Sequence, residues 1–323
     1  MRKLGQDRSG LQYLYGPVPS RRLGRSLGVD LVPFKTCTYD CVYCQLGPTT
    51  CLTTERRNHA DTDGIIDELE WKLASAGTPD TITLAGSGEP TLHSGIGGLI
   101  DRIKTVTRIP VTVLTNGSLL WMPEVREALM EADRVIPSLD AGDEQTFKTV
   151  NRPHPGIDFE RMVDGLAAFT AAFKGAVWLE VFLLKGVTDK PAQAASIAAC
   201  SAKIRPSRIQ LNTVTRPAPD GFARAVPREA LEALAERFDP AAEVIAAYRT
   251  AGPVEGDTVS EEEIRGLLAR RPCTLEDIAA GLAVREMVLL KQLDEWMHDG
   301  IVRVVAQDGK CLYVLTGTQG STD

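Results

Sequence analysis

Cys37, Cys41 and Cys44 stand within eight residues, in the run Cys37-Thr38-Tyr39-Asp40-Cys41-Val42-Tyr43-Cys44, a C-x3-C-x2-C spacing. Thiolates this close can surround one soft metal centre from a single loop. A structural zinc site takes four ligands, usually by adding a second C-x2-C or a His pair. None follows, because Cys51, Cys200, Cys273 and Cys311 are scattered singly. A [4Fe–4S] cluster normally uses four cysteines, so three leave one iron open to another ligand. An incomplete zinc knuckle, or a chance clustering, is the bland reading of the loop taken alone.

Alternating strands and helices must position this loop. Residues 26–33 alternate apolar positions and read as a first strand that delivers the cysteines at its C-terminal end. Residues 61–76 then place Ile65, Ile66, Leu69 and Leu73 on one helical face, with acids at the start. Strands over 80–85, 110–114, 134–139, 177–184 and 208–212 alternate with helices over 94–106, 123–131, 158–173, 191–204 and 227–238. Six such units predict an α/β chain with a parallel sheet wrapped by helices. Eight would close a TIM barrel, so six predict a partial, open (β/α)6 barrel. Residues 15–24, rich in Pro and Gly, read as an ordered loop.

In α/β barrels the chemistry sits at the C-terminal strand ends. The second strand ends in Gly86-Ser87-Gly88-Glu89-Pro90, the third in Thr115-Asn116-Gly117 and the fourth in Ser138-Leu139-Asp140. The fifth ends at Lys185-Gly186, and the sixth runs into Asn212-Thr213-Val214-Thr215-Arg216. All five therefore share one face with the cysteine loop. Two glycines let a ligand approach backbone closely, although GSGEP alone is also a tight turn and TNG a good one. Arg21 and Arg22 carry guanidinium forks that suit phosphate or carboxylate, and equally suit a solvated surface. Asp143 fits the cap of a short helix. Lys185 can meet an anionic or carbonyl-bearing substrate, and a buried neutral lysine there would allow a Schiff base.

Gly252-Pro253 breaks the chain into units over 1–250 and 251–323. The second predicts helices over 260–269, 274–281 and 285–298, with Thr274 as a cap and Asp277 three residues on. Strands over 301–305 and 311–315 flank Asp308-Gly309, a strong hairpin signal. Three helices and a hairpin make a small winged-helix (α+β) plan, with Ile264, Leu267, Ile278, Leu290 and Leu293 as its core. Arg285, Lys291, Arg303 and Lys310 can touch phosphates, but Glu286, Asp294, Glu295 and Asp299 interleave with them.

The net charge of -7 excludes coating of nucleic acid by bulk charge and leaves local basic patches open. Seven cysteines without framework spacing do not suggest disulfides. No apolar run suits a signal peptide or reaches membrane-spanning length, so a cytoplasmic location with no membrane partner is expected.

The cysteine loop resembles the signature of the radical S-adenosylmethionine (radical SAM) enzymes, with Tyr43 in the usual aromatic slot. The resemblance implies a [4Fe–4S] cluster on Cys37, Cys41 and Cys44, with SAM chelated at the open iron. It implies reductive cleavage of SAM to a 5′-deoxyadenosyl radical, fed by an external electron donor of flavodoxin or ferredoxin type. Gly86, Ser87, Gly88 and Glu89 are similar to the family's GGEP motif, which implies backbone contacts to the SAM amino group and a bracing role for Glu89. Thr115, Asn116 and Ser138 are implied partners of the SAM ribose or carboxylate.

Over residues 12–220 the chain resembles the wyosine-synthetase-like branch, in PSRRLG, in Gln45-Leu46-Gly47 after the cysteines, in GSGEP and in QLNTVTRP. Residues 140–152 are similar to a segment shared with the molybdenum-cofactor GTP cyclase. Arg21, Arg22, Asp140, Asn151, Arg152, Lys185, Asn212 and Arg216 are the substrate candidates. Wyosine synthetases carry further upstream cysteines for a second cluster, and no cysteine precedes Cys37. The expected function is hydrogen abstraction from a nucleotide or RNA-type substrate. The alternatives are a peptide- or protein-modifying enzyme gripping its polypeptide with the winged helix, and an iron–sulfur DNA-binding regulator. Motifs at five strand ends favour an enzyme, since a sensor has no need of them.

Overall fold

A computed structural model of the chain describes residues 11–20, 22–75, 78–215, 218–246, 261–269, 272–282, 284–307 and 310–316. Arg21, Arg216, the Asp308-Gly309 turn and the expected unit boundary near residue 250 lie outside the described residues. The main sheet runs, in spatial order, β1 (Leu14–Ser20), β2 (Gly24–Val29), β3 (Thr81–Leu84), β4 (Val111–Thr115), β5 (Arg134–Pro137), β6 (Ala176–Leu183), β7 (Arg208–Thr213) and β8 (Glu243–Val244). Strands β2 to β8 are all parallel, and β1 is antiparallel to β2. Between the strands lie α1 (Thr62–Ser75), α2 (Ile96–Val106), α3 (Pro123–Ala128), α4 (Glu144–Val150), α5 (Phe159–Ala172), α6 (Pro191–Ile204) and α7 (Arg228–Ala235). The fold is thus mixed α/β on a parallel sheet, with all six expected strands present.

A period of two explains how one sheet serves two environments. Leu27, Val29, Ile82, Leu84, Val111, Val113, Val135, Leu179, Val181, Ile209 and Leu211 join the core with Ile65, Leu69, Leu99, Ile103, Leu166, Phe169 and Ile197 of the helices. The alternate positions are largely polar, with Ser26 bonded to Thr83 at 2.6 Å and Thr81 to Thr112 at 3.0 Å. Residues of both sheet edges, Val18 and Leu23 on one side and Asn212 and Ile245 on the other, line a single cavity of about 320 Å³. The sheet therefore curls around its polar face as a partial barrel.

Residues 14–20 form a strand, which corrects the expectation of a loop. Two prolines are tolerated because β1 is the outermost strand of its sheet, where ladder N–H groups are dispensable. The register shifts between Tyr15 and Val18, and Gly28 leaves room for the Tyr15 ring, which a Cβ would approach to 2.1 Å.

The C-terminal unit contains α8 (Glu261–Leu268), α9 (Leu275–Leu282) and α10 (Glu286–His298), then β9 (Val302–Gln307) paired antiparallel with β10 (Lys310–Leu315). Thr274 and Asp277 cap each other reciprocally, at 3.3 and 3.1 Å. Ile264, Leu267, Ile278, Leu289, Leu293 and Trp296 form a separate core. Leu290, expected in that core, is exposed, because the helical phase turns Leu289 inward instead.

Helices α8 and α9 pack on β1, Val18 joins their core, and Leu267 lines the barrel cavity. The small unit closes the gap between the sheet edges as a wall. Val18→Asp is expected to put a charge into this seam. Backbone amides of α8 and α9 should then exchange with solvent at least tenfold faster, with β3 to β7 unchanged. Unchanged exchange in α8 and α9 would contradict the packing.

Candidate metal centre

The three thiols occupy a loop that the next segments clamp in place. Val42 N donates to Val150 O, Asp40 N to Asn151 O and His154 N to Thr38 O, so the stretch after α4 stitches the loop down by its backbone. Thr53 N donates to Cys37 O from the other side. Tyr43 stacks on Phe182 of β6 with centroids 4.0 Å apart and donates its hydroxyl to Asp140. The loop is therefore anchored to β6 and to the end of β5.

The GSGEP turn fits against the same loop without side-chain bulk. A Cβ on Gly88 would lie 1.8 Å from Thr36 O, and one on Gly86 would meet the Asp30 carboxylate at 2.5 Å. Ser87 N donates to Asp30 at 3.0 Å and its hydroxyl donates to the same carboxylate, while Lys35 N donates to Ser87 O at 2.7 Å. Glu89 is buried and accepts from Thr91 N, the Thr91 hydroxyl, the Thr115 hydroxyl and Asn116 N, at 2.6 to 3.0 Å. Burial raises its carboxyl above the ordinary value although four donors pull it down.

Through Asn116, this brace reaches the cysteines. The Asn116 amide donates to the Thr38 hydroxyl at 2.7 Å and lies 3.6 Å from Cys37 Sγ. Thr115 and Asn116 thus hold the loop from beneath. Ser138 is half-buried, its backbone N–H donating to Thr115 O.

Asp140 and Asn151 are both buried beneath the cysteines rather than open to a substrate. Asp140 accepts from Tyr43, from Asn151 Nδ2 at 2.7 Å and from Phe182 N at 3.0 Å, and burial pushes it up to about 6. Arg152 points outward and pairs with Asp220 at 2.9 Å. Lys185 is exposed rather than buried. Arg22 enters the barrel from the β1–β2 turn and pairs with Glu180 at 2.6 Å, which also accepts from Asn212 at 2.8 Å. That trio lines the cavity together with Gln45 and Leu46 of the cysteine loop. Sequence reasoning missed Asp30, Lys35, Thr38 and Ser118, whose roles arise only from tertiary contact.

Burial pushes the Cys37 thiol up to about 12, with the Glu89 charge adding to it. Burial and then the Asp140 charge hold Cys41 well above the ordinary thiol range. Such thiols ionise only when a bound cation supplies positive charge. Among the described residues no three His, Cys, Asp or Glu side chains are set to hold a metal ion together. A single zinc needs all its sulfurs within about 2.3 Å of one point, whereas an iron–sulfur cluster gives each thiolate its own iron and so a wider spacing. The three thiols perturb one another, while the exposed Cys51 acts on Arg57. The donor set fits a cluster held by three cysteines.

A family model described as the radical SAM superfamily matches residues 31–196. The chain is 33% identical to a UPF0026 protein of Helicobacter pylori, strain J99, over 84% of this chain and 88% of that one. It is 41% identical to a protein named GTPase Obg of Brachyspira hyodysenteriae over 94% of this chain, and spans 45% of that relative's length. No G-x4-G-K-S/T run occurs in the sequence, so nothing in the shared part supplies a P-loop. A structure of TYW1 with a lysine-pyruvate adduct bound superposes with a TM-score of 0.52 at 14% identity, covering 71% of this chain and 76% of that one. That likeness speaks for the fold alone.

Glu89→Gln would turn an amide N–H₂ toward donors that need an acceptor. The expected loss is about 1–3 kcal/mol of stability, seen as a lower melting temperature, together with a lower iron content after anaerobic loading. A variant that melts and binds iron like the parent would remove the bracing role.

Proposed function

This chain is an enzyme of the radical SAM superfamily, whose cofactors are a [4Fe–4S] cluster and S-adenosylmethionine, and we propose that it abstracts hydrogen from a nucleotide or RNA-type substrate. The carrying observation is a three-thiol loop, braced by Glu89, beside a partly polar cavity inside the barrel. When bound, the cofactors supply reductive cleavage of the sulfonium C–S bond and a 5′-deoxyadenosyl radical. Cys37, Cys41 and Cys44 hold the cluster. Gly86 and Gly88 keep backbone bare at the GSGEP turn, where the SAM amino group is expected, and Ser138 lies at the end of β5, two strands away.

Leu23, Ile245 and Leu267 give the cavity apolar lining, and Arg22, Glu180 and Asn212 offer its polar contacts. An external flavodoxin or ferredoxin type donor delivers the electron in the cytoplasm. Phe34 and Leu52, both exposed, flank the cysteine loop as apolar footing for it. The C-terminal unit, taken as a winged helix, engages the substrate, with Arg285, Lys291 and Arg303 exposed for phosphates. A peptide or protein substrate is the second reading. It is favoured by Met287, 82% exposed, and Leu290, 45% exposed, three residues apart on α10. The regulator reading falls away for an enzyme.

Anaerobically loaded protein is expected to bind close to four irons and, with dithionite, to form 5′-deoxyadenosine from SAM. Cys41→Ala should lose both, and bulk tRNA should raise the product yield above the uncoupled level. A rise with peptides instead would favour the second reading. Stoichiometric zinc with no cleavage product would contradict the reaction itself.

A further inference from the structure

Each of the three cysteine sulfurs faces one side-chain nitrogen donor from a different part of the chain, and Cys37 also accepts a backbone hydrogen bond from Tyr39. Lys35 Nζ lies 3.1 Å from Cys44 Sγ, Asn151 Nδ2 3.5 Å from Cys41 Sγ and Asn116 Nδ2 3.6 Å from Cys37 Sγ. These donors come from the loop after β2, the end of α4 and the end of β4. Their spacing along the chain, 35, 116 and 151, follows no local rule.

Independent partners fix which way each donor points. Asn116 Oδ1 accepts from Ser118 N at 3.0 Å, which turns Nδ2 toward Thr38 and Cys37. Asn151 Nδ2 donates to the Asp140 carboxylate, an acceptor that excludes the flipped amide. An ammonium has donors only. Lys35 is 3% exposed and sits at φ +57°, a left-handed conformation uncommon for a side-chain-bearing residue. Its backbone is held there by N–H donation to Ser87 O and by acceptance from Cys51 N at 3.1 Å.

Packing alone explains an asparagine poorly at two of these places, and a buried lysine worse. Burying an ammonium costs several kcal/mol unless an anion faces it. The side-chain partner of Lys35 is the Cys44 sulfur, and that sulfur is anionic when it ligates a metal.

We propose that Lys35, Asn116 and Asn151 set the reduction potential of the metal centre on the three cysteines, resting on the cluster reading above. One electron from an external reductant enters without a proton and leaves the thiolate sulfurs more negative. Two N–H dipoles and one full positive charge stabilise that added charge, which raises the potential. Lys35 contributes most, because it brings a charge as well as a hydrogen bond. These are positioning residues, acting through the ligands rather than on the substrate.

The test is EPR-monitored potentiometry on the loaded full-length chain and on Lys35→Met, Lys35→Arg, Asn116→Ala and Asn151→Ala, each with its iron content. At a potential where the parent is half reduced, Lys35→Met should show a reduced-to-oxidised ratio at least tenfold lower, or 59 mV for one electron. The asparagine variants should shift the same way by less, and Lys35→Arg should recover most of the loss. Variants that keep their iron and the parental potential would overturn the proposal while leaving the cluster reading intact. A parent that binds no cluster would instead defeat that reading. Should Lys35→Met or the asparagine variants lose iron, resonance Raman of the parent in H₂O and D₂O decides. Iron–thiolate stretches that move on N–D exchange support the three bonds, and unmoved stretches overturn them.

Discussion

A buried carboxylate that forms no ion pair among the described residues holds this site together. Glu89 lies inside the protein and is satisfied by four donors alone, two backbone N–H groups and two threonine hydroxyls. Removing a charge from water costs far more than one hydrogen bond returns, so the whole set must be kept. That requirement fixes the end of β3 against the end of β4. It sets Asn116 under Cys37 and leaves Gly88 flush against Thr36, where any side chain would collide. Asp140 repeats the arrangement two strands further on, receiving Tyr43, Asn151 and the Phe182 N–H. Two buried acids thus pin the cysteine loop at both ends.

The sheet supplies the setting by giving each strand two faces. One alternate set, such as Ile82, Val111, Val113, Leu179 and Leu211, buries against helices, and the other, such as Thr83, Thr112, Glu180 and Asn212, turns away from them. The polar face curls around a cavity that β1, β8 and Leu267 of the C-terminal unit help to enclose. The C-terminal unit has its own core and also helps to wall the cavity.

Much of this was legible from periodicity. The six parallel strands announced themselves because strands buried between helices and a cavity must alternate in a fixed phase. The Thr274–Asp277 cap and the three cysteines are local signals, and local signals survive without a fold. β1 was hidden because Pro17 and Pro19 look like loop residues until an edge position excuses them. Helical periodicity alone does not separate Leu289 from its neighbour Leu290, and packing turns Leu289 into the core. Asp140 and Asn151 stand out as site residues in the sequence, but nothing there separates a polar group that faces a ligand from one that props up the loop, as these two do. Lys35 and Asp30 carried no signal, being important only through residues distant in the chain.

The central claim is that three cysteines hold a four-iron cluster with one iron left for SAM. Mössbauer spectroscopy of the iron-loaded protein, with and without SAM, tests it directly. The account predicts four irons of which three keep their parameters while one shifts when SAM is added. Four irons that all ignore SAM, or a single mononuclear iron signal, would contradict it.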